Sequence, residues 1–248
     1  MATFYVNTDD QSGGEYASLA LAEAGLPSLF TEDMVFECSG NAADTSTVNF
    51  GPDQAGYKMT VRAAAGWEYN GVEGAGFVHA PAIGHSWRYG TTHLEGYEVD
   101  MSSAGYYYSF DGEIFSAIGM CFHGTPLSIG PFLCKVTGSI AENCLVYDYD
   151  TLYATWGDGT ARNCTFTSAG YRDGTAYNCV GSIFYNCTGD YNISNNSDGY
   201  FAPGANSISE ILFKDAAVDT LTATAKGTDK WIIFTDLANG DLSLYSVD

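Results

Sequence analysis

Four times in the second half of this chain a cysteine follows directly on an asparagine: Asn143-Cys144, Asn163-Cys164, Asn178-Cys179 and Asn186-Cys187. Cys121, Cys144, Cys164 and Cys187 recur at nearly even steps, and Cys134 and Cys179 form a second series whose members stand two such steps apart. Self-similarity at a period of roughly 20 to 25 residues marks a chain wound into stacked repeats. In such a winding Cys121, Cys144, Cys164 and Cys187 form one inward ladder, with Cys134 and Cys179 on another wall. Asn143, Asn163 and Asn186 stack at a corner, because asparagine tolerates the left-handed conformation that a sharp corner demands. Inward pointing alternates along a strand, which pairs Cys144 with Val146 and Cys164 with Phe166.

Upstream of this series, one period at a time, come short apolar runs bounded by Gly, Asn or Asp: Cys121-Phe122, Tyr97 to Met101, Gly76 to Val78, Lys58 to Arg62 and Met34 to Cys38. Those are strand signals. Twenty-nine glycines, 18 tyrosines and 14 phenylalanines in 248 residues likewise favour strands and turns over surface helices. One helix is expected, from Glu15 to a stop at Gly25, and it would cover the open end of the stack, where apolar core and unpaired backbone are otherwise bare. The segment after Asn192 turns polar. Ile208–Lys214, Asp219–Ala225, Trp231–Thr235 and Leu242–Val247 then read as separate strands of a small terminal sheet. The expected organisation is 1–33 as an N-terminal strand and capping helix, 34–200 as the wound body, and 201–248 as a C-terminal β cap or subunit-contact segment.

The coil motif resembles that of right-handed parallel β-helix proteins, through Asn143-Cys144-Leu145-Val146, Asn163-Cys164-Thr165-Phe166, Asn178-Cys179-Val180 and Asn186-Cys187-Thr188. The opening, Glu15-Tyr16-Ala17-Ser18-Leu19 followed by Val35-Phe36-Glu37-Cys38, is similar to the N-terminal region of β-helix proteins of tailed bacteriophages. The resemblance covers roughly residues 15 to 190 and implies an all-β, right-handed parallel β-helix (solenoid) in a virion.

Charge narrows the function. Thirty acidic against nine basic residues give a net charge of −21. Such a surface repels nucleic-acid phosphates and anionic membranes, whose binding needs clustered Lys and Arg. The chain opens MATFYVNTDDQSGGEYAS, without an apolar leader of signal type, so its seven cysteines read as reduced in a cytosol and used as small buried hydrophobes. No cysteine pair has the short spacing of a structural zinc site. A lyase acting on polyuronates needs a basic cluster that this chain lacks.

Glycoside hydrolysis needs two carboxylates at a set separation. The candidates are Asp148, Asp150 and Asp158, with Tyr147, Tyr149, Tyr153 and Trp156 as sugar-stacking rings. They compete with the ordinary reading of Asp as a turn residue, so no catalytic residue is favoured. His79, His85, His93 and Glu95 form a loose group whose spacing matches no ligand motif. Tyr106, Tyr107 and Tyr108 make a strand aromatic on both faces, which with Trp231 in the tail suits protein contacts.

The expectation is therefore a non-enzymatic virion protein made in the host cytoplasm. It would decorate a capsid, contact other virion proteins and assemble as a homotrimer. It needs no cofactor, although its acidic surface could hold a structural divalent cation. The competing expectation is a tailspike-like protein that binds or hydrolyses a host glycan.

Overall fold

The structure, a computed structural model, describes residues 1–9, 15–48, 56–81, 83–85, 92–102, 105–110, 114–124, 138–147, 153–156, 159–194, 206–207, 212–215, 231–236 and 241–244. Its regular structure is almost all strand, with one short helix, and its two large sheets are parallel throughout. This is an all-β fold of the parallel kind.

The first sheet has nine strands in chain order: Ala2–Asn7, Met34–Ser39, Met59–Ala63, Thr92–Glu95, Ile114–Ile118, Ile140–Glu142, Thr160–Arg162, Thr175–Tyr177 and Thr188–Asp190. The second runs from Val78–His79 through Glu98–Asp100, Cys121–His123, Leu145–Val146, Thr165–Arg172 and Val180–Tyr185 to Ile193–Ser194, with Tyr153–Trp156 paired beside Thr165–Arg172. From Thr160 to Ser194, strands of the first sheet alternate along the chain with strands of the second. Both sheets contribute to one apolar core.

Register explains what fills that core. The inward column of the first sheet reads Phe36, Val61, Leu94, Ala117, Ala141, Ala161, Ala176 and Gly189, each the direct partner of the next. The column begins with large side chains and ends in alanine and glycine, and its last two steps along the chain are the shortest. The step from Val61 to Leu94 is more than twice that from Ala161 to Ala176 or from Ala176 to Gly189. Ala117, Ala141, Ala161 and Ala176 are each at most 1% exposed, so the column is close-packed with small side chains there. At Gly189 a Cβ would stand 1.8 Å from the Ala176 carbonyl oxygen.

The facing column of the second sheet follows the same rule. Parallel register places Phe77, Tyr97, Met120, Cys144, Cys164 and Cys179 at one level, all at most 2% exposed, and Asn192 closes the series at 1%. Val146 and Phe166, two residues past Cys144 and Cys164, are also fully buried, as strand alternation requires.

The membership of the cysteine column differs from the sequence expectation. Cys179 stands with Cys144 and Cys164. Cys121 is one residue out of phase: it pairs with Leu145 and faces outward from the core, under a covering segment. Cys187 belongs to the entry of the first sheet, just before Thr188–Asp190. Cys134 lies outside the described residues. A fixed period fails because the circuits shorten. Asn143 and Asn163 are 20 residues apart, Asn163 and Asn178 only 15, and Thr175 and Thr188 only 13. The shortening advances Cys179 by one whole circuit. The early apolar runs divide as well: Met34–Ser39 and Met59–Ala63 are in the first sheet, but Val78–His79 and Glu98–Asp100 are in the second.

The asparagine corner is a left-handed column. Gly96, Gly119, Asn143, Asn163, Asn178 and Tyr191 all have positive φ, from +51° to +72°. Each of the first five donates its backbone N–H to a carbonyl of the next circuit at 2.9–3.2 Å. Asn178, where Asn186 was expected, completes the amide stack on Asn163 and Asn143. Asn186 forms a second corner instead, donating to Asp173 Oδ1 at 2.8 Å, with both backbones left-handed.

The helix is Leu19–Ala24, shorter than expected. Tyr16 is drawn into a bridge with Val6, its N–H and C=O engaged by Tyr5 and Asn7, so helical geometry begins only at Leu19, after the extended N-cap Ser18, whose hydroxyl accepts from the Leu21 N–H. Buried Asp44 accepts from the Leu19 N–H at 2.7 Å, satisfying one of the helix's orphan donors. Leu19 and Ala22 enter the core, and Gly25 ends the helix as expected. In the tail, Leu212–Asp215 pairs parallel with Trp231–Asp236, which pairs antiparallel with Asp241–Leu244. The strand expected at 219–225 lies outside the described residues.

Candidate functional site

The outward face of the second sheet carries the densest polar cluster among the described residues. Val99 and Phe122 point into the core, so Glu98, Asp100, Cys121 and His123 point out. Register sets them in two columns. Glu98, Cys121 and Leu145 form one; Asp100, His123 and Tyr147 form the other.

Over this face lies a strap, residues 67–77, closed by a hydrogen bond from the Phe77 N–H to the Trp67 carbonyl at 2.8 Å. Gly76 makes that closure feasible: its φ is +104°, and a Cβ there would meet the Trp67 oxygen at 2.5 Å. The Tyr69 N–H donates to the Gly96 carbonyl at 2.8 Å. Tyr69 itself packs against the small cluster of Cys121, Leu145 and Tyr147.

Underneath, the polar groups are committed to one another. Glu98 Oε1 accepts from His123 Nε2 at 2.7 Å, and Glu98 Oε2 accepts from the Gly74 N–H at 2.8 Å. The Tyr147 hydroxyl donates to Glu73 Oε2 at 2.9 Å. The His123 ring stacks on Tyr147 with centroids 5.0 Å apart and planes 10° from parallel, and its Nδ1 lies 3.9 Å from Asp100. Glu98 and His123 are 2% and 4% exposed, so this ion pair is buried. Burial disfavours the imidazolium. The hydrogen bond to Glu98 and the charges of Glu98, Asp100 and Glu73 outweigh it, and His123 is held above the ordinary 6.5. Burial raises the tyrosine hydroxyls of Tyr147 and Tyr69, so both stay protonated donors at neutral pH. Beside the strap a groove is lined by Asn41, Val72, Glu73, Val78, Glu98 and Asp100.

The residues singled out from sequence fall differently. Tyr147 is buried, and one face of its ring is taken by His123 rather than open to a sugar. Asp148, Asp150, Asp158 and Tyr149 lie outside the described residues. Tyr106, Tyr107 and Tyr108 lie on strand Gly105–Phe110, which pairs with Ile83–His85. Tyr153 and Trp156 lie on Tyr153–Trp156, and Trp231 opens the tail strand Trp231–Asp236.

Two members of the histidine group, His79 and His93, lie on different sheets. His79 is buried on the second sheet, whereas His93 sits on the first, its Nδ1 2.6 Å from Ser116 Oγ, with Glu95 two residues on. Among the described residues no group of three or more His, Cys, Asp or Glu is placed to hold a metal. The cluster that does form escaped sequence reading because its members come from four separated segments. The available signal was the outward alternation Glu98-x-Asp100 and Cys121-x-His123, one circuit apart.

The buried thiols are inert by environment. Burial pushes the Cys38, Cys121 and Cys164 thiols up; Cys179 is raised first by its neighbour Cys164 and then by burial. Cys144 and Cys164 donate Sγ–H to the Ala117 and Ala141 carbonyls at 3.3 and 3.4 Å.

No family model, curated protein or solved structure matches this chain significantly. Among the described residues no helix is long and apolar enough to cross a membrane.

Proposed function

We propose that this chain is a right-handed parallel β-helix that serves as a non-enzymatic structural protein of a bacteriophage virion, most simply a capsid decoration protein. The observation that carries the reading is the graded interior. Two buried columns pass from large side chains at Phe36 and Phe77 to small ones toward Ala176 and Cys179, and the left-handed corner is hydrogen-bonded from Gly96 to Asn178. Such a design specifies a stiff module and commits its buried thiols to holding shape. The phage setting is supported by the resemblance of Glu15–Leu19 and Val35–Cys38 to phage β-helix openings. A net charge of −21 suits solubility and disfavours nucleic acid as partner.

In this role the chain would contact other capsid proteins and assemble as a homotrimer through its tail sheet or its aromatic strand, with no cofactor. Symmetric closure is the usual solution for a subunit with an exposed end. The test is location and stoichiometry. Mass spectrometry of separated heads and tails is expected to find the chain in heads, and light scattering of the purified protein to give three times 26.5 kDa. Recovery from tails together with depolymerising activity on a host glycan would replace this reading with the tailspike-like one. Absence from both fractions would overturn the virion assignment.

A further inference from the structure

The strap over the second sheet is fastened to a buried ion pair. Two of its contacts involve a carboxylate: the Gly74 N–H donates to Glu98, and the strap's Glu73 accepts from the Tyr147 hydroxyl. Glu98 can stay buried and charged because His123 faces it at 2.7 Å. We propose that His123 is a pH-operated latch, which holds the strap 67–77 closed when protonated and releases it when it loses its proton.

Every group facing the imidazole favours this behaviour. Glu98 and Asp100 stand on the neighbouring strand, Glu73 reaches in from the strap, and Cys121 lies on the same strand as His123. Tyr147 and Tyr69 are neutral hydroxyls. With imidazolium present, one cation offsets part of the charge on three carboxylates. Once it is neutral, the buried Glu98 carboxylate loses its counter-charge beside the partly exposed Asp100 and the exposed Glu73, and its cheapest relief is to be rehydrated. Glu98 is fixed by the sheet. The tip of the strap is not: between the anchored Tyr69 and Phe77, Gly71 and Gly74 have positive φ and open space around them. The element that yields is therefore the strap, and its movement would bare Glu98, Asp100 and Val78 in the adjoining groove.

The direction follows from linkage. His123 is raised above its unfolded value of 6.5, so the latch is fully engaged below pH 6.5 and lost as pH rises through the folded value. The test is NMR on the intact protein between pH 5.5 and 9.5. The His123 ring titration and the hydrogen-exchange protection of the Gly74 amide, corrected for intrinsic rate, are followed together. Protection at Gly74 is expected to fall at least tenfold with the His123 midpoint, while the Asn163 amide keeps its protection. In Glu73→Gln, which retains an acceptor for Tyr147 but removes a charge, the fall is expected to shrink severalfold. Flat Gly74 protection across the His123 titration in the wild-type protein would overturn the proposal, as would a His123 midpoint at or below 6.5. The wild-type arm decides even if the variant fails to fold.

Discussion

Asn178 donates its side-chain amide to Asn163 Oδ1 at 2.8 Å, and Asn163 donates in turn to Asn143 Oδ1 at 3.3 Å. The three backbones are left-handed at φ +52°, +51° and +53°. Residue type is therefore chosen twice at this corner, once by backbone and once by the amide stack. Replacing Asn163 separates the two demands. Asn163→Gly keeps the backbone and loses only exposed hydrogen bonds, whereas Asn163→Ala also takes on left-handed strain of roughly 1–2 kcal/mol. The expected order of urea midpoints is wild type, then Asn163→Gly, then Asn163→Ala. An alanine variant as stable as the glycine variant would show that the corner is not strained.

Gly189→Ala is expected to be far more damaging. Its Cβ would stand 1.8 Å from the Ala176 oxygen and 2.7 Å from the Ala176 carbon, at a φ of +118° that side chains rarely adopt. These atoms are backbone held in the sheet ladder and have no room to give. The predicted loss exceeds about 4 kcal/mol, the range reserved for gross steric conflict. Hydrogen exchange should localise it to Thr175–Tyr177 and Thr188–Asp190, leaving Met34–Ser39 protected.

What could be read from the sequence, and what could not, follows from locality. The Asn-Cys pairs were legible because a left-handed corner followed by an inward side chain is decided by two adjacent residues. Circuit length was not. It depends on how much chain each circuit spends away from the sheets. Nothing in Asn178 or Asn186 alone says that steps of 15 and 13 residues follow one of 20. The alanine column from Ala117 to Ala176 was hidden for a related reason. Alanine signals an interior only when its partners are known, and those lie a whole circuit away. The helix was placed correctly at its end, where Gly25 acts locally, and about one turn too early at its start, where Tyr16 answers to the distant Val6. The cluster at His123 is the extreme case. Glu73 and Tyr147 are 74 residues apart, and they meet only because the strap folds over strands whose register is set elsewhere in the chain.

Thiol chemistry separates the columns in solution. Cys38, Cys121, Cys144, Cys164 and Cys179 are buried and Cys187 only partly so. Reaction needs an accessible thiolate, and the raised thiols of Cys164 and Cys179 provide neither access nor charge. Iodoacetamide at pH 8 is expected to label Cys187 before the other described cysteines in the folded protein, and Cys144, Cys164 and Cys179 only after denaturation. Peptide mapping by mass spectrometry reads the order. Early labelling of Cys164 would contradict the close-packed column.

Two histidines should tilt stability in opposite directions. Burial holds His79 below 6.5 despite the charge of Asp44 and the hydrogen bond at Ser46. A group depressed on folding stabilises above its unfolded value, and that contribution is lost as pH falls through the folded value. His123, raised on folding, contributes below 6.5 and loses its contribution as pH climbs through its folded value. His93, lowered by burial and by Lys58, adds to the acid limb with the same sign as His79. Urea midpoints measured from pH 5 to 9 should therefore pass through a maximum. His123→Gln is expected to flatten the alkaline limb and leave the acid limb in place, while His79→Gln does the reverse. Both variants flattening the same limb would mean that the two sites are coupled through the core rather than acting on separate faces.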